Sequence, residues 1–177
     1  MKHVCNHSVK GQGGSALIVS LLILIVLSLL GLTAVRTTTL EEKMAGNLRD
    51  DSLAFQAAES ALRDAETFVE SVVSVNAFND TGGLYSEAST DPDYFAAATW
   101  GAGNSVAYSG TIAGVATQPR YIIKYVGVDS SGSGALNIGG YGNQQAGSLH
   151  TFRITARGTG GRDTTQVALQ EFYGRRM

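Results

Sequence analysis

The sequence predicts an α+β fold in which a long N-terminal helix packs its second half against a C-terminal antiparallel sheet. Three observations lead there. Residues 15–35 are apolar and contain neither charge nor proline. Apolar residues then recur at spacings of three and four as far as about Val75, the signature of one helix face. Beyond Arg120, three stretches alternate in the manner of half-buried strands.

The N-terminal stretch is the most constrained. About 21 residues at 1.5 Å each give roughly 31 Å of helix, enough to cross a hydrocarbon core. A buried core helix is the competing reading, and it does not call for so long an uncharged run. Lys2, His3, His7 and Lys10 precede the span, and Arg36 is the one charge close behind it. The positive-inside rule therefore keeps residues 1–14 cytoplasmic and sends residues 36–177 to the periplasm. Inside the span, Ser20, Ser28, Gly31 and Thr33 are small or hydroxyl-bearing. Such residues admit a neighbouring helix while their hydroxyls bond back to the preceding turn, although ordinary membrane anchors carry them too.

After Arg36 the predicted apolar face comprises Leu40, Met44, Leu48, Phe55, Ala58, Leu62, Ala65, Val69 and Val72. Glu42, Arg49, Asp50, Glu59, Ser60, Arg63, Asp64 and Glu66 are assigned to the opposite face, with Glu59 four residues ahead of Arg63 and able to pair with it. Gly46-Asn47 is the weak point, two poor helix formers costing roughly 1.5 kcal/mol relative to alanines. A bend or local melting is expected there when the helix is packed against others. Residues 76–177 form the head. Asp80-Thr-Gly-Gly and Asp91-Pro-Asp mark turns, and a short helical turn is expected near Tyr94 to Ala98. The strands are Arg120-Tyr-Ile-Ile-Lys-Tyr-Val-Gly-Val128, Thr151-Phe-Arg-Ile-Thr-Ala156 and Thr165-Gln-Val-Ala-Leu-Gln-Glu-Phe-Tyr173. The segment Arg157-Gly-Thr-Gly-Gly-Arg-Asp163 reads as the turn of a hairpin between the last two.

Composition narrows the function classes. Of 177 residues, about a hundred remain for the head, room for one core. Lys and Arg number 13 against 15 Asp and Glu; without Lys2 and Lys10 the balance is 11 against 15, or −4. A nucleic-acid platform needs a dense basic face, so no nucleic-acid partner is expected. The single cysteine, Cys5, precedes the span, so no disulfide can staple the head.

Gly13-Gly14 stand before the apolar run, whereas a secretory signal is cut on its far side. This layout resembles type IV prepilins. Ser15-Ala-Leu-Ile-Val, the stretch Leu30-Gly-Leu-Thr-Ala-Val-Arg-Thr-Thr-Thr-Leu-Glu-Glu-Lys-Met-Ala-Gly-Asn-Leu-Arg-Asp50, and Leu53-Ala-Phe-Gln-Ala-Ala-Glu-Ser-Ala-Leu-Arg-Asp-Ala-Glu66 together resemble the PilX family of minor type IV pilins. Phe152-Arg-Ile-Thr-Ala-Arg-Gly-Thr-Gly-Gly is a weaker echo near the C-terminus. The resemblance implies a type IV pilin-like fold, cleavage by prepilin peptidase between Gly14 and Ser15, and methylation of the Ser15 amine. It also implies partnership with other minor pilins and the major pilin, in inner-membrane lipid before assembly and in the surface pilus after it. The implied role is priming of assembly within a tip complex that supports adhesion and twitching motility.

The chain departs from the pilin pattern at Val19, the fifth residue after the expected cut, where most pilins have a glutamate. In the family that carboxylate is thought to meet the terminal amine of the neighbouring subunit, because a buried charge is costly unless paired. A subunit with Val19 resembles in this respect GspK, the tip pseudopilin of type II secretion. A type II pseudopilin is accordingly the alternative reading, and a membrane-anchored periplasmic receptor or enzyme a third.

Other motifs weigh less. Gly139-Gly-Tyr-Gly142 and Gly158-Thr-Gly-Gly161 lack the spacing of a phosphate loop and read as turn glycines. Asp129-Ser-Ser-Gly-Ser-Gly has one carboxylate where calcium generally takes several. His150 has no cysteine or second histidine beside it in the processed chain, so no zinc site or catalytic triad is expected. The adjacent pair Glu41-Glu42 reads as a solvated helix edge. No cofactor, metal, catalytic residue or small-molecule substrate is expected.

Overall fold

The computed structural model describes residues 14–129 and 148–177. Helix α1 runs Ser15–Ser71, and five strands follow: β1 Leu84–Tyr85, β2 Val106–Ala107, β3 Arg120–Asp129, β4 Leu149–Thr159 and β5 Gln166–Arg176. The leader positions 1–13, the glycines 139–142 and the serine–glycine stretch 130–134 lie outside the described residues. The helix is continuous through Gly46 and Asn47, yet the division between two compact units falls between those two residues.

The helix ends at Ser71, four residues before the expected boundary. Val72, Val73 and Val75 are β-branched and helix-averse, and Ser74 accepts the Asn76 N–H at 3.3 Å to start a 3-10 turn, Val75–Ala77. The freed carbonyls are satisfied from the sheet. Arg175 of β5 donates Nη1 to the carbonyls of Val69 and Val72, placing a cation where the helix dipole favours one.

The sheet runs β1–β3–β4–β5, with β2 pairing β3 beyond β1 on the same edge. β3, β4 and β5 form the expected antiparallel meander, Ile123 opposite Ile154 and Ile154 opposite Glu171. β1, by contrast, pairs parallel to β3, so the sheet is mixed. The turn that delivers β1 uses Gly82 and Gly83 at positive φ, preceded by Asp80, itself at φ 65° and accepting the Ser86 N–H at 2.8 Å.

Alanines make the packing possible. Ala54, Ala57, Ala58, Ala61 and Ala65 are fully buried, followed by Leu62, Val69 and Val72. Tyr121, Ile123, Phe152, Ile154 and Ala156 meet them from the sheet, with Phe78 stacked 5.1 Å from Phe152. Because side chains alternate along a strand, Ile122 belongs to the other face. It is buried there, and Tyr121 and Ile123 are the residues of β3 that meet the helix. Gly158, expected in the turn, lies within β4. A Cβ on it would overlap the Ala54 carbonyl and the Ala58 N–H.

Phe55 also departs from expectation. The buried stripe turns toward Ala54 and Ala57, leaving Phe55 exposed beside Leu48, Met44 and Leu40. Three acids assigned to the solvated face instead approach the sheet and its loops. Asp50 accepts the Gly161 N–H, and Asp64 holds the Ser109 N–H and hydroxyl at 3.0 and 2.6 Å. Glu66 lies beside Glu171. The Thr165 hydroxyl, the Gly161 N–H and Arg162 together hold Asp50 below the usual carboxylate range, against the smaller opposing effect of burial. Burial, reinforced by Glu66, pushes Glu171 above 4.5. Glu59 and Arg63 pair at 2.5 Å on the exposed side, as their spacing predicts.

Two predictions follow from this seam. Gly158→Ala should destabilise the full chain in detergent by at least about 1–3 kcal/mol through overpacking, and Leu62→Ala by roughly 2–5 kcal/mol through a cavity. Unchanged chemical denaturation in both would contradict the packing. The second concerns pH: a raised carboxyl favours its protonated form, so its stabilisation is complete below the ordinary value and is lost as pH rises through the folded one. Glu171→Gln should therefore raise the melting temperature at about pH 8 more than at about pH 5. The lowered carboxyls, Asp50 among them, act in the opposite direction and only in more acid solution, below their ordinary value of 3.8.

Candidate functional site

The residues singled out for processing and assembly lie at the start of α1. Gly14 is exposed and opens directly into the helix at Ser15, with nothing within 4 Å of where a Cβ would stand. Gly13 lies outside the described residues. Val19 is half exposed, one turn into the helix, and no acidic side chain occurs from Ser15 to Thr39. The segment meets the length and composition needed to cross a membrane.

Its polar atoms are internally satisfied. Ser20 Oγ donates to the Leu17 carbonyl at 2.9 Å, Ser28 Oγ to Leu24 at 2.7 Å and Thr33 Oγ1 to Leu30 at 2.8 Å. Thr37, Thr38 and Thr39 likewise bond back one turn. The hydroxyls thus present methylene and methyl surface to lipid or to another helix. Between the short side chains of Ser20 and Ser28, flanked by Ile23, Leu24 and Leu27, a shallow groove runs along the helix. Such a groove accepts a ridge from a second helix packed against it.

From Ser15 to Arg49 every side chain is exposed among the described residues. Leu40, Met44, Leu48 and Phe55 continue an apolar stripe beyond the span, each about half or more exposed. Periodicity located this stripe, and the sheet covers the second half of the helix as expected but leaves Phe55 exposed. The described surface of the span is apolar and exposed, with hydroxyls bonded back to the helix.

Chemistry in the head is structural where the sequence singled it out. Among the described residues no group of three His, Cys, Asp or Glu could hold a metal ion. The candidate calcium stretch falls largely outside them. His150 Nδ1 lies 3.0 Å from the Tyr125 hydroxyl within an aromatic cluster that includes Phe152. Glu41 and Glu42 are exposed on the helix, as expected. Sequence reading missed the basic face of the sheet turned away from α1, where Arg120, Lys124, Arg153 and Arg157 alternate along β3 and β4. Asp91 bridges Lys124 at 2.6 Å and also Arg153, and these two cations, Lys124 first, hold its carboxyl below the ordinary range. The alternation was visible in the two strands; the loop that covers it was not.

Residues 13–63 match the family described as PilX N-terminal, and residues 56–175 match type IV pilus assembly protein PilX C-term. Comparison with curated proteins and with solved structures finds no match.

Proposed function

The chain belongs to the PilX family of type IV pilus assembly proteins, and from that premise we propose that it is a minor pilin that primes assembly within a tip complex. Prepilin peptidase cuts after Gly14, the new Ser15 amine is methylated, and α1 waits in inner-membrane lipid with the head in the periplasm. Other minor pilins and then the major pilin assemble against its exposed apolar stripe, and the completed pilus serves adhesion and twitching motility. In this reading the protein is a processed substrate and a structural subunit, with no catalytic activity of its own. A type II secretion pseudopilin would share the same subunit chemistry and differ in filament length and cargo.

Val19 carries the proposal. An apolar side chain one turn into the helix cannot pair with the amine of a subunit above it. At a tip nothing sits above, and the loss costs nothing. Within a shaft, each such site would leave an amine buried without its carboxylate, roughly several kcal/mol. The covalent step rests on a different feature, the small residues on the near side of the apolar run.

Mass spectrometry of the mature N-terminal peptide should find methylated Ser15, and a bulky residue in place of Gly14 should leave the precursor intact. Met1 or Lys2 at the start of filament-associated protein would remove this step. Deletion of the gene should abolish or sharply reduce surface pili while the major pilin is still processed. Val19→Glu should not improve assembly, since a carboxylate without an amine above it would prefer to be neutral. Normal piliation in the deletion strain contradicts the priming role.

A further inference from the structure

On the sheet face opposite α1, the segment around the 3-10 turn Ala97–Trp100 folds over the ends of β3 and β4 and leaves a cavity of about 220 Å3. Trp100, Arg120, Arg157, Thr117 and Thr159 line it, with Ala97 at the side. Its floor is unusual. Arg120 and Arg157 are direct cross-strand partners, and like charges directly opposite on one sheet face are destabilising. Neither forms an ion pair among the described residues.

Each arginine is fixed and only partly used. Arg120 donates Nε to the Ser105 hydroxyl at 2.6 Å and Nη2 to the Ser105 carbonyl, leaving Nη1 without a partner among the described residues. Arg157 lies over the Trp100 ring, its guanidinium carbon 5.7 Å from the ring centre. Its Nε is buried and has no hydrogen-bond partner among the described residues. A buried donor left unmade is costly. Burial pushes the Arg157 guanidinium below its ordinary range, and Asp163 only partly opposes it.

The walls are already committed. Trp100 is almost wholly buried and donates Nε1 to the Tyr94 carbonyl at 2.9 Å. Thr159 Oγ1 donates to the Thr117 carbonyl at 2.8 Å, and Thr117 Oγ1 to Asp163 at 2.6 Å. What remains is Nη1 of Arg120, the guanidinium of Arg157, an aromatic plane and an apolar side, with neither arginine in an ion pair among the described residues.

We propose that this cavity binds a carboxylate, held by the free edges of Arg120 and Arg157 beside Trp100. Planar carboxylate matches the arginine fork in two parallel hydrogen bonds. Phosphate matches the same fork, but phosphate sites commonly add a helix N-terminus or a nest of backbone N–H groups, and neither is among the described lining residues. Its volume is below the roughly 300–1,000 Å3 of pockets for drug-sized ligands. It therefore suits the end of an acidic side chain or a small free carboxylic acid.

Trp100 is the only tryptophan, so its fluorescence reads the site directly. The full-length protein in detergent is titrated with sodium acetate, with a short glutamate-containing peptide and with inorganic phosphate, each at matched ionic strength set with chloride. Saturable change with acetate and peptide alike identifies a site for free carboxylates. Saturation at a tenfold or more lower concentration of peptide identifies a protein side chain as the occupant. Arg157→Gln should abolish the response, and Arg157→Lys, which keeps the charge without the fork, should weaken it tenfold or more, with circular dichroism confirming that each variant is folded. If neither variant folds, the wild-type titration decides alone. No saturable response to acetate or peptide, or a response to phosphate as strong as to either, overturns the proposal.

Discussion

Backbone meets backbone where β4 crosses α1: Gly158 lies against the Ala54 carbonyl and the Ala58 N–H with no room for a side chain. The alanines at 54, 57, 58, 61 and 65 keep the helix thin along that line. The sheet can then come close enough for Phe152 and Ile154 to be wholly buried. Gly160 continues the approach, since a Cβ there would overlap Asp50, whose carboxylate takes the next N–H of the hairpin. Arg175 closes the far end of the seam on the last carbonyls of the helix. A glycine in a strand is ordinarily a loss of packing surface; here it sets the separation on which the larger side chains depend.

The same helix is composed differently on the two sides of Asp50. Before it come leucine, isoleucine and valine, exposed and with hydroxyls turned back onto their own carbonyls. After it come alanines covered by a sheet. A helix of leucines throughout would hold the sheet off, and one of alanines throughout would be weakly driven into lipid, because buried area per residue sets the transfer free energy. The composition change therefore divides one continuous element into a part for lipid or neighbouring helices and a part for its own head. The absence of a carboxylate at Val19 belongs to the first part. In the proposed reading it limits the subunit to an end of a filament.

Much of this was legible in the sequence. An uncharged run long enough to cross a membrane, helical periodicity after it and three alternating strands are local signals, and each corresponds to an element. The antiparallel pairing of β4 with β5 followed from their short connection and alternation. What failed was non-local. Phe55 satisfies the periodicity as well as Ala57 does, but which stripe the sheet covers depends on backbone approach, and that favours alanine. Gly158 looks like a turn residue until the strand is seen to need it against the helix. The parallel pairing of β1 turns on a two-residue strand, too short to alternate. The opposed arginines at 120 and 157 were visible as residues, while their pairing and the Trp100 lid depend on register and on the connection between β1 and β2, which sends its 3-10 turn across the sheet.

The reading stands or falls on where the subunit sits. An epitope tag placed on the head, in a strain that retains normal piliation, can be labelled with gold on intact sheared filaments and viewed by electron microscopy. The account predicts label at one end of a filament and none along its length, because only there does Val19 leave no amine without a partner. Regularly spaced label along the shaft would contradict it, for then a subunit lacking the carboxylate would be accommodated wherever the major subunit is.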